Sequence, residues 1–400
     1  MAIVINGSGT VTGISVGGLP DGIVDAGTLA TNSVDSAELI DGAVDDSHMA
    51  SIKGRKNILY NGAMKISQRG TSFAAIGNTD YSLDRWSFQN STIGTYTVTQ
   101  DSSGPAGFAN SYKIDCTTAD ASPAAGDQMY IKQKIEGQDV QHLKKGTASA
   151  ESITASFWVK SNKTGDMQVN LYDKDNTRII GNTVTINAAD TWEQKSLTFA
   201  GDTTGAFNDD NAQSLQIELW FDSGSNYSSG AVPTSWEARV EADRNAGGTL
   251  ALADSTSNYL NFTGVQLEVG STATDFEHRS YGEELALCQR YYQKYENTGN
   301  INANDGALFN TCVWNTTDTF SAFVYINPMR TSPSVGFSDT TANSLTLFVA
   351  GSSSTPTSWA INNSSDTRLE FLLKSSSLTT GEAGWVRLSA NKFMYLDAEL

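Results

Sequence analysis

Three aromatic residues stand among amides and carboxylates in a pattern that could bind sugar. In the runs 156–160, 168–172 and 216–221, one parity is apolar: Phe157 and Val159, then Val169 and Leu171, then Ile217, Leu219 and Phe221. The other parity carries Ser156, Trp158 and Lys160; Gln168, Asn170 and Tyr172; and Gln216, Glu218 and Trp220. Side chains of a strand alternate between its two faces. The spacing therefore predicts a polar sheet face bearing Trp158, Tyr172 and Trp220. Aromatic rings stack on the apolar C–H surfaces of sugars, while amides and carboxylates hydrogen-bond to hydroxyls. The bland reading is that neighbouring loops or symmetry mates cover these aromatics.

Signals for catalysis are weaker. The string GISVG at 13–17 has the spacing of a nucleophile elbow around Ser15. An elbow needs a strand before it and a helix after it; here a Gly-Gly-Leu-Pro turn follows, so Ser15 reads as structural. His48, His142 and His278 stand in unrelated contexts, which supports neither a Ser/His/Asp triad nor a metal site. The acidic stretches 173–176 and 208–211 lack the spacing of a calcium loop and read as ordinary turns. No cofactor or metal is expected. A glycosidase needs only two carboxylates at a set separation, which sequence cannot pick out among 44 acidic residues.

The elements that must position the aromatic face are short strands separated by Gly, Asn, Asp and Ser turns. They are expected at 95–100, 111–117, 129–136, 153–160, 167–173, 178–186, 192–199, 215–222 and 259–268, a number and spacing that suit an antiparallel two-sheet jelly roll. Ser280 as N-cap with Glu283 three residues on opens a helix expected over 281–295. Leu285, Cys288, Tyr291, Tyr292 and Tyr295 form its apolar side, where Cys288 serves as a small buried hydrophobe. From 300 onward the strand pattern returns at 308–314, 319–326, 334–338, 344–350, 357–362, 367–374, 384–389 and 392–398, predicting a second compact β-sandwich. Its loops at 315–319, 351–357 and 375–384 are rich in Ser, Thr, Asn and Gly, suited to polar recognition. Asn315, Thr316 and the nearby Trp359 are the receptor-contact candidates there.

Ahead of these domains, residues 22–51 hold three ungapped units: GIVDAGTLAT, NSVDSAELID and GAVDDSHMAS. Val24, Leu29, Val34, Leu39, Val44 and Met49 recur every five positions, a period of neither helix nor strand. One copy of so thin an apolar row cannot build a core, but identical chains wound about an axis can close one. A homotrimeric stalk is predicted, with these six residues on the axis. The domain plan is then 1–21 attachment segment, 22–55 stalk, 56–278 jelly roll, 279–298 linker helix and 299–400 distal sandwich, an all-β fold apart from the short helix.

The chain is glycine-rich, with 35 Gly and 18% charged residues, the composition of a turn-dense β-protein. Its net charge of −18 repels phosphate backbones and argues against nucleic-acid partners. Cys116, Cys288 and Cys312 contain no CxxC pair and suit folding in a reducing cytosol. There is neither a signal peptide pattern at the start nor an apolar run of membrane-spanning length, so synthesis in the cytoplasm without membrane insertion is expected.

Three segments bear a family likeness. NILYNGAMKISQRG at 57–70 with YSLDRWSF at 81–88 resembles the opening of the carbohydrate-binding-like jelly roll of bacteriophage tail fibres. VQLEVGSTATDFEHRSYGEELALCQRYYQKY at 265–295 resembles the linker and helix that follow that domain, especially in fibres of marine phages. INPMRTSPSV at 326–335 and KFMYLDAEL at 392–400 resemble the small β-domain that closes such proteins. The resemblance implies a virion-bound trimer docked through its N-terminus on the tail or an adaptor. Its distal domains would meet host surface polysaccharide or lipopolysaccharide. It carries over no catalytic residue, and depolymerases of such phages usually rely on a long parallel β-helix whose repeat is missing from this sequence. A binding, non-enzymatic role is expected, against the alternatives of a structural spacer and a glycan depolymerase.

Overall fold

The computed structural model describes residues 4–5, 11–12, 55–297, 307–309, 311–314, 319–339, 344–349, 352–375 and 384–400. Two units make up the chain, Met1–Gly54 and Arg55–Leu400. In the first, β1 (Val4–Ile5) pairs antiparallel with β2 (Val11–Thr12). The stalk residues Val24, Leu29, Val34, Leu39, Val44 and Met49, as well as Ser15, lie outside the described residues.

The second unit begins with a sandwich of two six-stranded antiparallel sheets. In chain order its strands are β3 (Ser72–Phe73), β4 (Ser87–Ser91), β5 (Thr95–Asp101), β6 (Ser111–Thr118), β7 (Gln128–Glu136) and β8 (Ile153–Ser161). Then follow β9 (Gly165–Asp173), β10 (Arg178–Ile186), β11 (Glu193–Phe199), β12 (Gln213–Ser223), β13 (Glu237–Ala238) and β14 (Tyr259–Val269). One sheet runs β13-β10-β9-β12-β7-β4 and the other β11-β8-β14-β6-β5-β3, a jelly-roll arrangement. The nine strands expected between 95 and 268 occur within two residues of their expected ends, because alternation marks a strand whose one face is buried. The apolar parities of β8, β9 and β12 meet between the sheets, where Phe157, Val159, Val169, Leu171, Ile217, Leu219 and Phe221 are buried.

After β14, the helix is shorter than expected. A one-turn α1 (Ser225–Ser228) sits in the β12–β13 connection, and α2 spans Tyr281–Gln289 only. Ser280 caps α2 by accepting from the Glu283 amide at 3.2 Å, while the Glu283 carboxylate turns away to Arg55 at 2.8 Å. Residues assigned to the end of the helix instead form β15 (Tyr292–Asn297), paired with Lys392–Asp397. Aromatic-rich YYQKY suits a pleated, half-buried surface, and a partner strand a hundred residues downstream decides its conformation. Cys288 is fully buried, and burial raises its thiol well above the ordinary range, as befits a packing residue.

The distal domain comprises β16 (Ala307–Phe309), β17 (Thr311–Trp314), β18 (Thr319–Tyr325), β19 (Ser334–Phe337) and β20 (Leu345–Val349). It continues with β21 (Ser352–Ser354), β22 (Ser358–Ser364), β23 (Arg368–Lys374), β24 (Gly384–Leu388) and β25 (Lys392–Asp397). Small sheets β15-β25-β19, β16-β24-β20-β21 and β17-β18-β23-β22 enclose a separate core that includes Leu347, Phe371, Val386 and Met394.

The two domains are joined through buried charge. Glu136, at the end of β7, takes paired 2.7 Å bonds from Arg290 and a 2.5 Å bond from the Tyr291 hydroxyl. Burial pushes its carboxyl up, but these bonds and the charges of Arg290 and Arg85 outweigh it and hold the pKa below the ordinary value. Arg85 lies 3.3 Å over the Tyr291 ring and donates to Glu399 and to the Lys134 carbonyl. Arg69 lies 3.7 Å over Tyr292 and contacts Asp84, Asp397 and Glu399. The segments that carry the family likeness thus supply much of this joint and of its footing. Asn57 and Asn61 tie their loop to Val265, Ile66 and Asp84, and Arg279 donates to the Asn57 and Leu59 carbonyls.

Candidate functional site

The β7, β9 and β12 strands lie side by side, and register brings their outward residues into rows. Tyr130, Trp220 and Gln168 form one row; Lys132, Glu218 and Asn170 the next; Lys134, Gln216 and Tyr172 the third. The connection from β12 to β14 folds back over this face. Gln168 donates to the Asp243 carbonyl at 2.7 Å and accepts from the Gly247 amide at 2.9 Å, and Asn170 donates to the Arg244 carbonyl at 2.7 Å. These two amides therefore fasten a loop and are not free for a ligand. Gly181 on β10 gives these amides room: an added Cβ would stand 2.2 Å from the Asn170 Oδ1 and 3.2 Å from the Gln168 Nε2.

Between this loop and the lower rows lies a groove of about 240 Å³. It is lined by Tyr130, Lys132, Lys134, Tyr172, Lys174, Gln213, Gln216, Glu218, Arg239 and Arg244. Tyr130 stacks on Trp220 with ring centres 4.3 Å apart and 16° between planes, and Arg244 lies 4.6 Å over Trp220. Trp220 is fully buried beneath them. On the opposite side of the groove Arg239 lies 4.7 Å over Tyr172.

Glu218 is the acid at the centre. One oxygen accepts from Gln216 at 2.6 Å and Arg244 at 2.9 Å, the other from the Trp220 indole at 2.8 Å. Burial raises its pKa, but the Arg244 charge and these bonds prevail and hold it below the ordinary carboxylate value. Arg244 and Arg239 also share Glu241, each at 2.9 Å. Lys132, directly across from Glu218 in the register, forms no ion pair among the described residues. Burial pushes its pKa down to about 8, and the neighbouring Lys134 charge acts in the same direction. Lys134 is lowered too, chiefly by burial, and donates to the Leu400 main-chain oxygen.

Of the residues expected to form one aromatic face, Tyr172 and Trp220 share this sheet, and Trp158 does not. Trp158 is on β8 in the opposite sheet, paired with Gln194 and Thr263. It packs beside Gly264, where an added Cβ would meet Phe108 at 2.7 Å and Trp158 at 3.2 Å. Alternation gives the face within a strand but not which sheet the strand joins, so the single three-aromatic platform is corrected to a groove on one sheet. Trp220 forms its buried floor and is not an open stacking surface.

Trp359 is half-buried and sits edge-on to Phe337 at 4.8 Å, at the margin of the distal core. Asn315 and Thr316 lie outside the described residues. Sequence reading missed Tyr130, Lys132 and Lys134, although their shared parity in β7 was available as a signal. Arg239 and Arg244 carried none, since only the folded-back loop brings them to the sheet. The two acidic stretches meet each other, Asp175 accepting from the Asn208 amide and side chain at 3.0 Å, and Asp173 pairs with Lys145 at 2.6 Å.

No family model and no curated protein matches the chain. Among solved structures it is similar to a putative sugar-binding protein from Bacteroides thetaiotaomicron, at 12% identity and a TM-score of 0.31, over 54% of this chain and 100% of that one. It is also similar to the enzymatically active domain of tailspike protein 4 of bacteriophage CBA120, at 14% identity and a TM-score of 0.26. That match covers 53% of this chain and only 21% of the tailspike chain. A family 11 carbohydrate-binding module from Clostridium thermocellum, in complex with a β-1,3-1,4-mixed-linked tetrasaccharide, is similar at 8% identity and a TM-score of 0.25, over 52% of this chain and 98% of the module. At such values the functional reading rests on this chain's own residues.

Proposed function

We propose that this chain is a bacteriophage tail fibre that attaches the virion to its host by binding surface glycan without cleaving it. The observation that carries the binding role is the groove over β7, β9 and β12. It combines Tyr130 and Tyr172 with amide and charged side chains around a preformed concavity, the composition that fixes and orients sugars. The tail-fibre assignment draws on the segments at 57–70, 81–88, 265–295, 326–335 and 392–400. The trimer draws on the ten-residue repeat, with residues 22–55 as the stalk and residues 1–21 docking on the tail or its adaptor.

The non-enzymatic part is supported by the state of the groove's acid. Glycoside hydrolysis needs one carboxyl that stays protonated near neutral pH to donate to the leaving oxygen. Glu218 is held in the opposite sense, ionised and saturated by Arg244, Gln216 and Trp220.

The test is adsorption of the purified full chain to host cells. Adsorption that blocks infection is the expected result. A chain that neither adsorbs nor competes would be a structural spacer, and release of reducing sugar from host polysaccharide would make it a depolymerase. Sedimentation of the full chain beside one lacking residues 1–55 checks the stalk: a monomeric full chain overturns the trimer.

A further inference from the structure

We infer that the groove over β7, β9 and β12 takes an anionic glycan, one bearing carboxylate, sulfate or phosphate groups. The inference rests on the glycan-binding reading and names the chemical class of the ligand. Five cations line the groove, Lys132, Lys134, Lys174, Arg239 and Arg244, against the single lining carboxylate Glu218. Adding Glu241, which bonds both arginines from the rim, still leaves three positive charges in excess. This excess sits on a protein whose net charge is −18, so it is a local feature and not a consequence of composition.

The distribution of partners sharpens the point. Arg244 has its charge neutralised by Glu218 and Glu241, and Arg239 shares Glu241. Lys132 and Lys174 have no ion-pair partner among the described residues, whereas Lys134 donates to a Leu400 oxygen and lies in the field of the Glu399 carboxylate. Lys132, half-buried, sits between the buried Ser87 and Glu218, where the carboxylate that could pair with it is already saturated. Bringing unpaired ammonium groups together and partly out of water is unfavourable. A ligand anion placed over Lys132 would relieve that cost, between the buried Tyr130 and Tyr172, whose rings already carry Trp220, Arg244 and Arg239. The small extent of the groove and the repulsion of the surrounding acidic surface disfavour a long polyanion such as nucleic acid.

The experiment is titration calorimetry of the full chain. One panel holds oligogalacturonate, a sulfated galactan oligomer and a phosphorylated mannan oligomer. The controls are the methyl ester of the oligogalacturonate, the unsubstituted galactan and mannan oligomers, and single-stranded DNA. Binding of at least one anionic oligomer is expected, weakened about tenfold or more by removal of its charge and weakened about tenfold by Lys132→Gln, with Lys132→Arg retaining it. Equal affinity for charged and uncharged forms, binding only to neutral oligomers, or equal affinity for DNA would each overturn the inference. Silence across the anionic panel overturns it as well. The glycan-binding reading itself fails only if the neutral oligomers and the host-cell adsorption are silent too.

Discussion

Two clusters of buried charge share the strand β7, and they are balanced in opposite ways. At its end, Glu136 is met by Arg290, Tyr291 and the nearby Arg85, and every cation of the joint finds an acid or carbonyl. Two residues earlier Lys134 is met by a Leu400 oxygen and the Glu399 charge, but four residues earlier Lys132 faces the groove without an acid of its own. A joint between domains has no outside partner to supply a missing charge, so its charges are balanced internally, even though the Arg85 Nε is left without a hydrogen bond. A binding groove can leave charge unpaired when a ligand completes it. Charge imbalance therefore separates the surface that holds the fold from the surface that reads a partner, although Lys132 and Lys134 are less buried than Glu136.

The largest effect is expected at the joint. Arg290→Met leaves the fully buried Glu136 with neutral donors only, which is expected to destabilise the chain by about 3–5 kcal/mol in denaturant unfolding. A loss under about 1 kcal/mol would erase the contrast between joint and groove. Acid should act on the same joint. The Glu136 pKa is depressed in the fold, so its contribution is complete above the ordinary value of 4.5 and is lost as pH falls through the depressed value.

In the groove, removing charge should act in the other direction. Lys132→Met removes an ammonium whose charged form the fold disfavours, so stability at pH 7 is expected to rise by about 1 kcal/mol while affinity for the anionic glycan falls. A drop in stability comparable to that of Arg290→Met would place Lys132 in the scaffold. The lysine's own titration gives a third check. With its pKa at about 8, the free groove loses positive charge as pH rises from 7 to 9, so affinity for an anionic oligomer should fall about fivefold over that interval. In Lys132→Arg the fall should vanish. Persistence of the full pH dependence in that variant would move the titration to another group.

Much of the sandwich was legible because alternation over one buried face leaves few options for a strand. The missed elements lack that alternation or owe their form to distant partners. β4 is short and polar in the middle, with Gln89 and Asn90 buried among neighbours. Tyr292–Asn297 satisfies helical and strand spacing alike until β25 arrives to pair with it. The groove was half legible: Tyr172 and Trp220 followed from parity, whereas the loop that brings Arg239 and Arg244 over them carries no short-range signature. Gln168 and Asn170 had the right chemistry for a sugar but are engaged by that loop.

The smallest effect is the most specific for the geometry. Trp158 has the same sequence credentials as Tyr172: an aromatic at outward parity in a sandwich strand. It lies on the opposite sheet, against Phe108 and Gly264. Tyr172 lines the groove beneath Arg239, and loss of the ring that seats this guanidinium is worth about 1 kcal/mol. Tyr172→Ala is therefore expected to weaken glycan binding about fivefold, and Trp158→Ala to leave it within about twofold. Measured by the same calorimetry, equal losses in the two variants would mean that the ligand wraps both sheets, and a loss confined to Trp158 would move the site to the other face of the sandwich.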